Sequence, residues 1–416
     1  MRKINLYFVI IMAVLIGLFL ICLFFPPTTS LLAHQKVLIF QDGRDLFADF
    51  FNVLRYMSDE AGFYYSSINE QDGHGGFPLS LGLFYPLAQL VDYSQMTLQD
   101  CWASHSAMLS CIFYLLVLLF FFWDSLNRVC QKYGVSKWNL VILLFSSVFI
   151  FSVERGNSIF FAATLLNYYL VYYDHKAPCK RYLALVFLCV VATHKGFPAL
   201  FGLLLLKERR YRDIAFCVIL TLLLIFVPFL FLEHGLDTIP QMVKNTATNS
   251  ATYLHSLNCL WGFHRVIHMA CLIGHVPEAA IDTIIVVARM VAAVLVLLTI
   301  GLVLLEDRLS RQLLLIACTI LLYPVNSGFY CGLYFFPVIL IFFSRGETTR
   351  RSDYVILLLL CMMICPLQLT LLHKDGTLFR ATPVLANAAV TLLWLYVLSL
   401  SLKSCLPKLW KLARKA

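Results

Sequence analysis

The sequence is poor in charge. Only 13% of its 416 residues are Asp, Glu, Lys or Arg, whereas 61% are apolar; an ordinary soluble domain has roughly a quarter charged and about half apolar residues. A soluble fold could not bury so much apolar surface, so lipid must be part of the solvent. The net charge of +9 does not indicate nucleic acid binding, because the basic residues lie in short clusters between apolar runs and not along one face.

Several patterns that mark familiar chemistry are absent as well. There are 14 cysteines but no Cys-x-x-Cys, so neither a disulfide framework nor a zinc site is predicted. There is no Asp-x-Asp, no glycine-rich phosphate loop and no dinucleotide fingerprint. His264 and His268 are four residues apart but lack an evident third ligand. We therefore expect no metal and no cofactor.

Long apolar runs dominate the sequence. They predict an all-α polytopic membrane protein with about twelve membrane segments in a single domain over 1–416. The first run is longer than a signal-peptide core and has no clear cleavage site after it, so we interpret it as a retained span. The runs are 5–25, 102–123, 138–152, 158–173, 182–194, 196–206, 213–232, 282–305, 312–325, 329–343, 354–372 and 383–402.

Basic residues orient these segments, because cytoplasmic loops carry an excess of Lys and Arg. With the N-terminus in the cytoplasm, 22 of the 32 Lys and Arg residues fall in inner loops or tails. Both termini are therefore predicted to be cytoplasmic. Reading 182–206 as one span would place the basic cluster 207–212 outside and invert every later loop, so the charge bias favours a hairpin there.

Three pairs of runs are too short to cross a bilayer. The arms 182–194 and 196–206 would be roughly 17–20 Å long, against a hydrocarbon core of about 30 Å. The pairs bend at 154–157, 194–198 and 324–328, and each bend contains polar residues with Gly or Pro. Irregular backbone at membrane depth is tolerated only inside protein or beside a wet cavity. The three bends therefore predict a cavity that opens on the outer side.

Two long segments are predicted on the outer side, 26–101 and 233–281. The first contains an amphipathic helix candidate at 45–60. It also contains an apolar stretch at 77–91 that Pro78 and Pro86 interrupt, which we expect to lie at the membrane interface.

An acidic group occurs in the first outer segment. Asp45, Asp49 and Asn52 follow i, i+4, i+7 spacing and so share one helix face. Asp42 with Gly43 is typical of a turn, and Asp45 is typical of a helix cap. Asp49 is expected in the second turn, where it has no capping role. A carboxylate beside a cavity at membrane level is a candidate general base.

Three basic residues lie within or beside apolar runs: Arg155, Lys195 and Arg289. Charges there are costly and usually functional, and Arg and Lys suit a phosphate clamp. The alternative is that these side chains reach out to the outer headgroups. The remaining candidates for substrate binding are Asn52, Tyr64, Tyr65, Asn157, His194 and His255, although the outer histidines are also typical of a solvated loop helix.

Several of these motifs resemble the polyprenyl-phosphate-dependent membrane glycosyltransferases of the GT-C fold, and glycosyltransferase family 87 in particular. The resemblance covers about 42–212 and depends on three parts. These are Asp45-Leu46-Phe47-Ala48-Asp49-Phe50-Phe51 with the Tyr and Pro steps up to Leu87, then Arg155-Gly156-Asn157, then Lys195-Gly196-Phe197-Pro198. The second half is similar only in its spans and in Tyr323-Pro324. Its 326–330 departs from the family's usual polar aromatic step, which leaves a second catalytic residue open.

The resemblance implies a function. A sugar would pass from a polyprenyl-phosphate donor to a lipid or glycan acceptor on the outer face of a bacterial plasma membrane, with inversion. The family's base is an Asp of the first outer loop, and both Asp45 and Asp49 fit that position. Two rival readings stay open: a twelve-span transporter, although the two halves show no similarity, and a lipid-linked glycan polymerase or ligase.

Overall fold

The computed structural model describes residues 3–25, 46–59, 62–66, 75–257, 259–344, 348–372 and 378–413. Over these ranges the chain is mostly helical. The α-helices are α1 Lys3–Phe24, α2 Ala48–Ser58, α3 Leu79–Gly82, α4 Tyr85–Ala88, α5 Leu98–Ala103, α6 His105–Tyr133, α7 Lys137–Leu144, α8 Ser147–Arg155, α9 Ile159–Tyr172, α10 Pro178–Lys195, α11 Leu203–Lys207, α12 Tyr211–Phe226, α13 Thr238–Thr252, α14 Phe263–Ile273, α15 Glu278–Leu305, α16 Leu309–Leu322, α17 Phe335–Phe342, α18 Ser352–Met363 and α19 Ala381–Ala413.

Short 3-10 helices and strands complete the fold. The 3-10 helices are Phe197–Gly202, Val227–Phe231, Gly235–Asp237 and Phe329–Tyr334. Strand β1 (Leu260–Trp261) pairs antiparallel with β2 (Ser327–Gly328), and β3 (Thr370–Leu372) pairs with β4 (Leu378–Arg380). The β1–β2 pair joins the second outer segment to the third predicted bend.

The all-α membrane architecture is confirmed, but the count of about twelve spans is not. In the described residues, five helices are long and apolar enough to cross a membrane, or six if α7 and α8, which meet at 56°, form one bent span. Several predicted runs are helices too short to cross alone, since α9 and α16 have 14 residues each, about 21 Å. The shorter apolar helices are Ile159–Tyr172, Phe197–Lys207, Phe263–Ile273, Leu309–Leu322, Phe329–Phe342 and Ser352–Met363.

Two of the short helices, α16 and α17, lie at the centre of the bundle. Every side chain of α17 is buried, and so is all of α16 after its first residue. Helices that are apolar on all sides belong inside a protein or in lipid. The long helices α1, α12 and α15 instead expose large apolar side chains, as at Ile21, Leu222 and Leu297, which is the surface expected to face lipid.

The three predicted bends are confirmed as chain breaks. Helix α8 ends at Arg155 and is followed by Gly156 with φ +62°, and α10 ends at Lys195 and is followed by Gly196 with φ +66°. Glycine is favoured at both positions because an L side chain is strained there. After α16, residues 323–328 leave the helix before the 3-10 turn at Phe329.

The first outer segment forms helices where expected. Helix α2 spans Ala48–Ser58 and buries Phe50, Phe51 and Leu54. Asp49, however, lies in the first turn and not in the second, because the helix begins at Ala48. Asp42 and Asp45 lie outside the described residues. The 77–91 stretch contains only the four-residue helices α3 and α4.

Candidate active site

Helix α2 is fastened to the end of α8 by its first residues. The N–H of Phe47 donates to the carbonyl of Glu154 at 2.7 Å, and the indole N–H of Trp102 donates to the carbonyl of Leu46 at 2.8 Å. Gly156 permits close approach, because a Cβ there would lie 3.0 Å from Cβ of Phe50. These contacts place the first turn of α2, with Asp49, directly against the first bend.

The Asp49 carboxylate lies between Arg155 and Asn157. Arg155 donates to Oδ1 from Nε at 3.1 Å and also from Nη2, and Nδ2 of Asn157 donates to Oδ2 at 2.6 Å. The side chains of Asp49 and Arg155 are each 20% exposed, so the pair is partly shielded from solvent. Asn157 is held in place because its Oδ1 accepts the N–H of Ile159 at 2.9 Å.

The second bend joins the first through His194. Its Nε2 lies 2.9 Å from Oγ of Ser158, and its ring is mostly buried. The next residue, Lys195, is exposed, and its ammonium lies 5.6 Å from the centroid of the Tyr330 ring. In the described part of the chain, Lys195 has no ion pair. Its charge is thus available beside the Asp49 group.

The third bend approaches this group through Tyr330, which follows the bend by two residues. Its hydroxyl lies near the side chain of Asn157 and near the charges of Asp49 and Arg155. Its ring stacks on Phe151 of α8, with centroids 6.4 Å apart. Gly332 allows this packing, because a Cβ there would lie 2.8 Å from Val148 of the same helix. All three bends therefore meet around one carboxylate and two cations.

Comparison with known families bears directly on this arrangement. A family model of glycosyltransferase family 87 matches residues 78–327. The chain belongs to glycosyltransferase family 87. No curated protein and no solved structure gives a match. The resemblance seen in the sequence is confirmed, and the chain is a membrane glycosyltransferase.

The family match extends further into the second half of the chain than the sequence motifs do. It includes Arg155, Asn157, Lys195 and Arg289, and it continues to Ser327 of the third bend. It begins after α2, so Asp49 lies outside the matched range. The contacts of α2 with α8, and not the family match, connect Asp49 with the family's bends.

Asn52 is the remaining candidate near this group. It lies on α2 one turn beyond Asp49, where its Oδ1 accepts a hydrogen bond from Arg55 at 3.2 Å. Asp45 lies outside the described residues, so the choice between Asp45 and Asp49 stays a prediction. The structure thus brings together Asp49, Arg155, Asn157, His194 and Lys195.

Tyr64 and Tyr65 have packing roles elsewhere. Tyr64 is buried, and its hydroxyl donates to the carbonyl of Gly76 at 2.7 Å; its ring stacks against Phe229. Tyr65 is 42% exposed and lies edge-on to His234. In the described part of the chain, neither ring has a hydrogen bond or ring contact with Asp49.

The contacts of His255 and Arg289 are with other residues than the Asp49 group. His255 points Nε2 at Asp282, 3.5 Å away, and its ring contacts that of His268. Arg289 lines a groove with His264 and Tyr323. In the described part of the structure, neither residue has a hydrogen bond, an ion pair or a ring contact with the Asp49 group.

Sequence reasoning missed three residues that build the site. Tyr330 and Ser158 link the bends, and Trp102 fixes the start of α2. Tyr330 and Ser158 each follow a predicted bend within a few residues, which was the available signal. Trp102 gives no such signal, because its partner lies 56 positions away in the sequence.

Proposed function

We propose that this glycosyltransferase moves one sugar from a polyprenyl-phosphate donor to a hydroxyl of a lipid or glycan acceptor, on the outer face of the membrane and with inversion. The observation that carries the proposal is the meeting of Asp49, Arg155 and Asn157 with the exposed Lys195. A base and a phosphate clamp are the two elements that such a transfer needs without a metal.

Asp49 acts as the general base. A carboxylate has about four lone-pair sites, and three of them receive Arg155 and Asn157 in the described structure. The site left on Oδ2 accepts the proton of the acceptor hydroxyl. The acceptor oxygen attacks the anomeric carbon, the bond from that carbon to the phosphate oxygen breaks, and the phosphate leaves with the electron pair.

Arg155 and Lys195 stabilise the leaving phosphate. Charge develops on its oxygens as the bond breaks, and fixed cations lower the energy of that state. Arg155 also orients Asp49, so this one residue contributes both to proton removal and to stabilisation of the leaving phosphate. Arg289 has no contact with the Asp49 group in the described part of the chain and is not assigned a role here. Asp45 is the other candidate for the base, because it also fits the position of the family's aspartate in the first outer loop.

The donor class is tested by sugar transfer with purified protein. Polyprenyl-phosphate sugars and nucleotide sugars are supplied in parallel with extracted membrane lipids as acceptors. We expect product only from the polyprenyl-phosphate donors, and a large loss with Lys195→Gln. Lys180→Gln is the matched control, because Lys180 is also exposed and lies 5.9 Å from a tyrosine ring. Transfer from a nucleotide sugar, or an equal response of the two variants, would disprove the proposal.

A further inference from the structure

The ammonium of Lys195 lies over an aromatic ring and not beside a carboxylate. Its nitrogen is 5.6 Å from the centroid of the Tyr330 ring, and a cation within about 6 Å of a ring face is attracted to it. Among the residues that the structure describes, none forms an ion pair with Lys195. The ring therefore holds this cation at the site without neutralising its charge.

The Tyr330 ring is itself held in place by its neighbours. It stacks on the ring of Phe151, with the two planes 15° apart. It also lies against the backbone of Gly328, where an added Cβ would be 2.3 Å from Cζ and 2.7 Å from the hydroxyl oxygen of Tyr330. Contacts that short do not occur between real Cβ atoms and their neighbours, so the ring can occupy this position because residue 328 is glycine.

A lysine gains from such a contact when it must bind an anion. Its flexible four-carbon stem loses much rotamer freedom when the ammonium is fixed, and a side chain that is already held in place loses less of it on binding. The ammonium has three N–H donors. It can therefore lie on the ring with one side while the other side, which is exposed in Lys195, meets the oxygens of a phosphate.

We propose that Tyr330 is a positioning residue for the donor phosphate. Its ring holds the ammonium of Lys195 at the site, and the phosphate binds this ammonium while the contact with the ring persists. The inference rests on the proposed function, because that proposal assigns the phosphate to Lys195. It gives the second half of the chain a part in donor binding through Tyr330, which acts on the phosphate through Lys195 and does not itself touch it.

The test places phenylalanine, and phenylalanines with one, two or three ring fluorine atoms, at position 330. Fluorine withdraws electron density from the ring face and weakens its attraction for a cation, while the size of the ring changes little. Tyr330→Phe is the reference, so that loss of the hydroxyl near Asn157 is common to the whole series. We expect kcat/KM for a polyprenyl-phosphate sugar to fall stepwise with fluorination, by about 3- to 30-fold in all, and mainly through KM.

Two controls separate the effect on Lys195 from an effect on packing. In the Lys195→Gln background the residual transfer should not change along the series, because the cation is gone. The same series at position 172 should also leave transfer unchanged. Tyr172 makes the same kind of contact, 5.9 Å from the ammonium of Lys180. A purely structural role of the Tyr330 ring would give no trend in the wild-type background either.

A second variant moves the ring without changing it. Gly328 has φ −61°, so Gly328→Ala adds no backbone strain, but its Cβ should push the Tyr330 ring away from Lys195. We expect KM for the donor to rise as it does with the most fluorinated ring. Gly202→Ala is the control, because its Cβ would lie 3.7 Å from Leu188, which is an ordinary contact, and should leave KM unchanged.

The inference and the proposed function fail in different ways. A series without a trend, an equal trend in Lys195→Gln, or a rise of kcat/KM with fluorination would overturn the role of Tyr330 while transfer itself continues. Absence of transfer from every polyprenyl-phosphate sugar would instead overturn the proposed function. The ring is then tested without a donor, by the rate at which a water-soluble acylating reagent labels the Lys195 amine, measured by mass spectrometry. This rate should rise along the series, and a constant rate would overturn the inference.

Discussion

Replacing Gly156 with alanine should separate the carboxylate of Asp49 from Arg155, although neither of these residues is substituted. The residue has φ +62°, and its new Cβ would lie 3.0 Å from Cβ of Phe50. Ordinary van der Waals contact begins near 3.4 Å, so α2 must move away by a few tenths of an ångström. Asp49 lies next to Phe50 on α2 and must move with it. A misplacement of about 1 Å can cost on the order of 10²-fold in rate.

The left-handed backbone alone costs an alanine about 1–2 kcal/mol, so a control must share that strain. Gly235→Ala does so, because Gly235 has φ +54° and nothing lies within 4 Å of its Cβ position. Both variants should lose some thermal stability, but only Gly156→Ala should lose sugar transfer, by about 10–10²-fold. The assay is transfer from a polyprenyl-phosphate sugar together with thermal unfolding. Equal transfer by the two variants would refute the idea that α2 is positioned through this contact.

Three further outcomes follow from the same structure. Arg155→Lys should lower kcat by at least about tenfold, because a point charge cannot donate twice to one carboxylate oxygen; wild-type kcat would contradict this, and Arg128→Lys is the control. Trp102→Phe leaves the carbonyl of Leu46 without its donor and should cost about 1–3 kcal/mol of stability, measured by thermal unfolding; an unchanged melting temperature would count against the anchor. Burial alone would raise the pKa of Glu306, but hydrogen bonds and the charge of Arg311 outweigh it, so that this pKa lies below its ordinary value. The ionised carboxylate therefore stabilises the fold above about pH 4.5, and this stabilisation is lost as the pH falls further. Glu306→Gln should flatten that loss of stability at acid pH, measured as unfolding temperatures over a pH series.

The bends could be predicted because their signals are local. Arm length, Gly156, Gly196 and the polar residues beside them all lie within a few positions of one another. The count of about twelve spans is not confirmed, because an apolar helix such as α16 can be buried entirely in protein. Hydropathy does not separate a helix that faces lipid from one that faces other helices.

The pairing of Asp49 with Arg155 could not be predicted, because 106 positions separate them. The sequence patterns assign the two residues to different tasks, Asp49 to the base and Arg155 to the phosphate clamp. In the structure Asp49 itself contacts Arg155, while the backbone of Glu154 holds α2. Tyr64 likewise matched a family step in sequence, yet its burial gives it a packing role. The role of such a residue depends on its tertiary contacts and not on the residues next to it in the sequence.

The most direct test of the active site compares Asp49→Asn, Asp45→Asn and Asp124→Asn in sugar transfer from polyprenyl-phosphate donors. Asp124 is the control, because it also pairs with an arginine, 2.6 Å away, but lies outside the site. Asparagine keeps the shape of Asp49 and can still accept from Arg155, but it cannot take a proton. We predict that Asp49→Asn lowers kcat by about 10²–10⁴-fold while its unfolding temperature stays close to that of Asp124→Asn. Transfer by Asp49→Asn at the wild-type rate would contradict the assignment of Asp49, and the same result for Asp45→Asn as well would remove the aspartate base altogether.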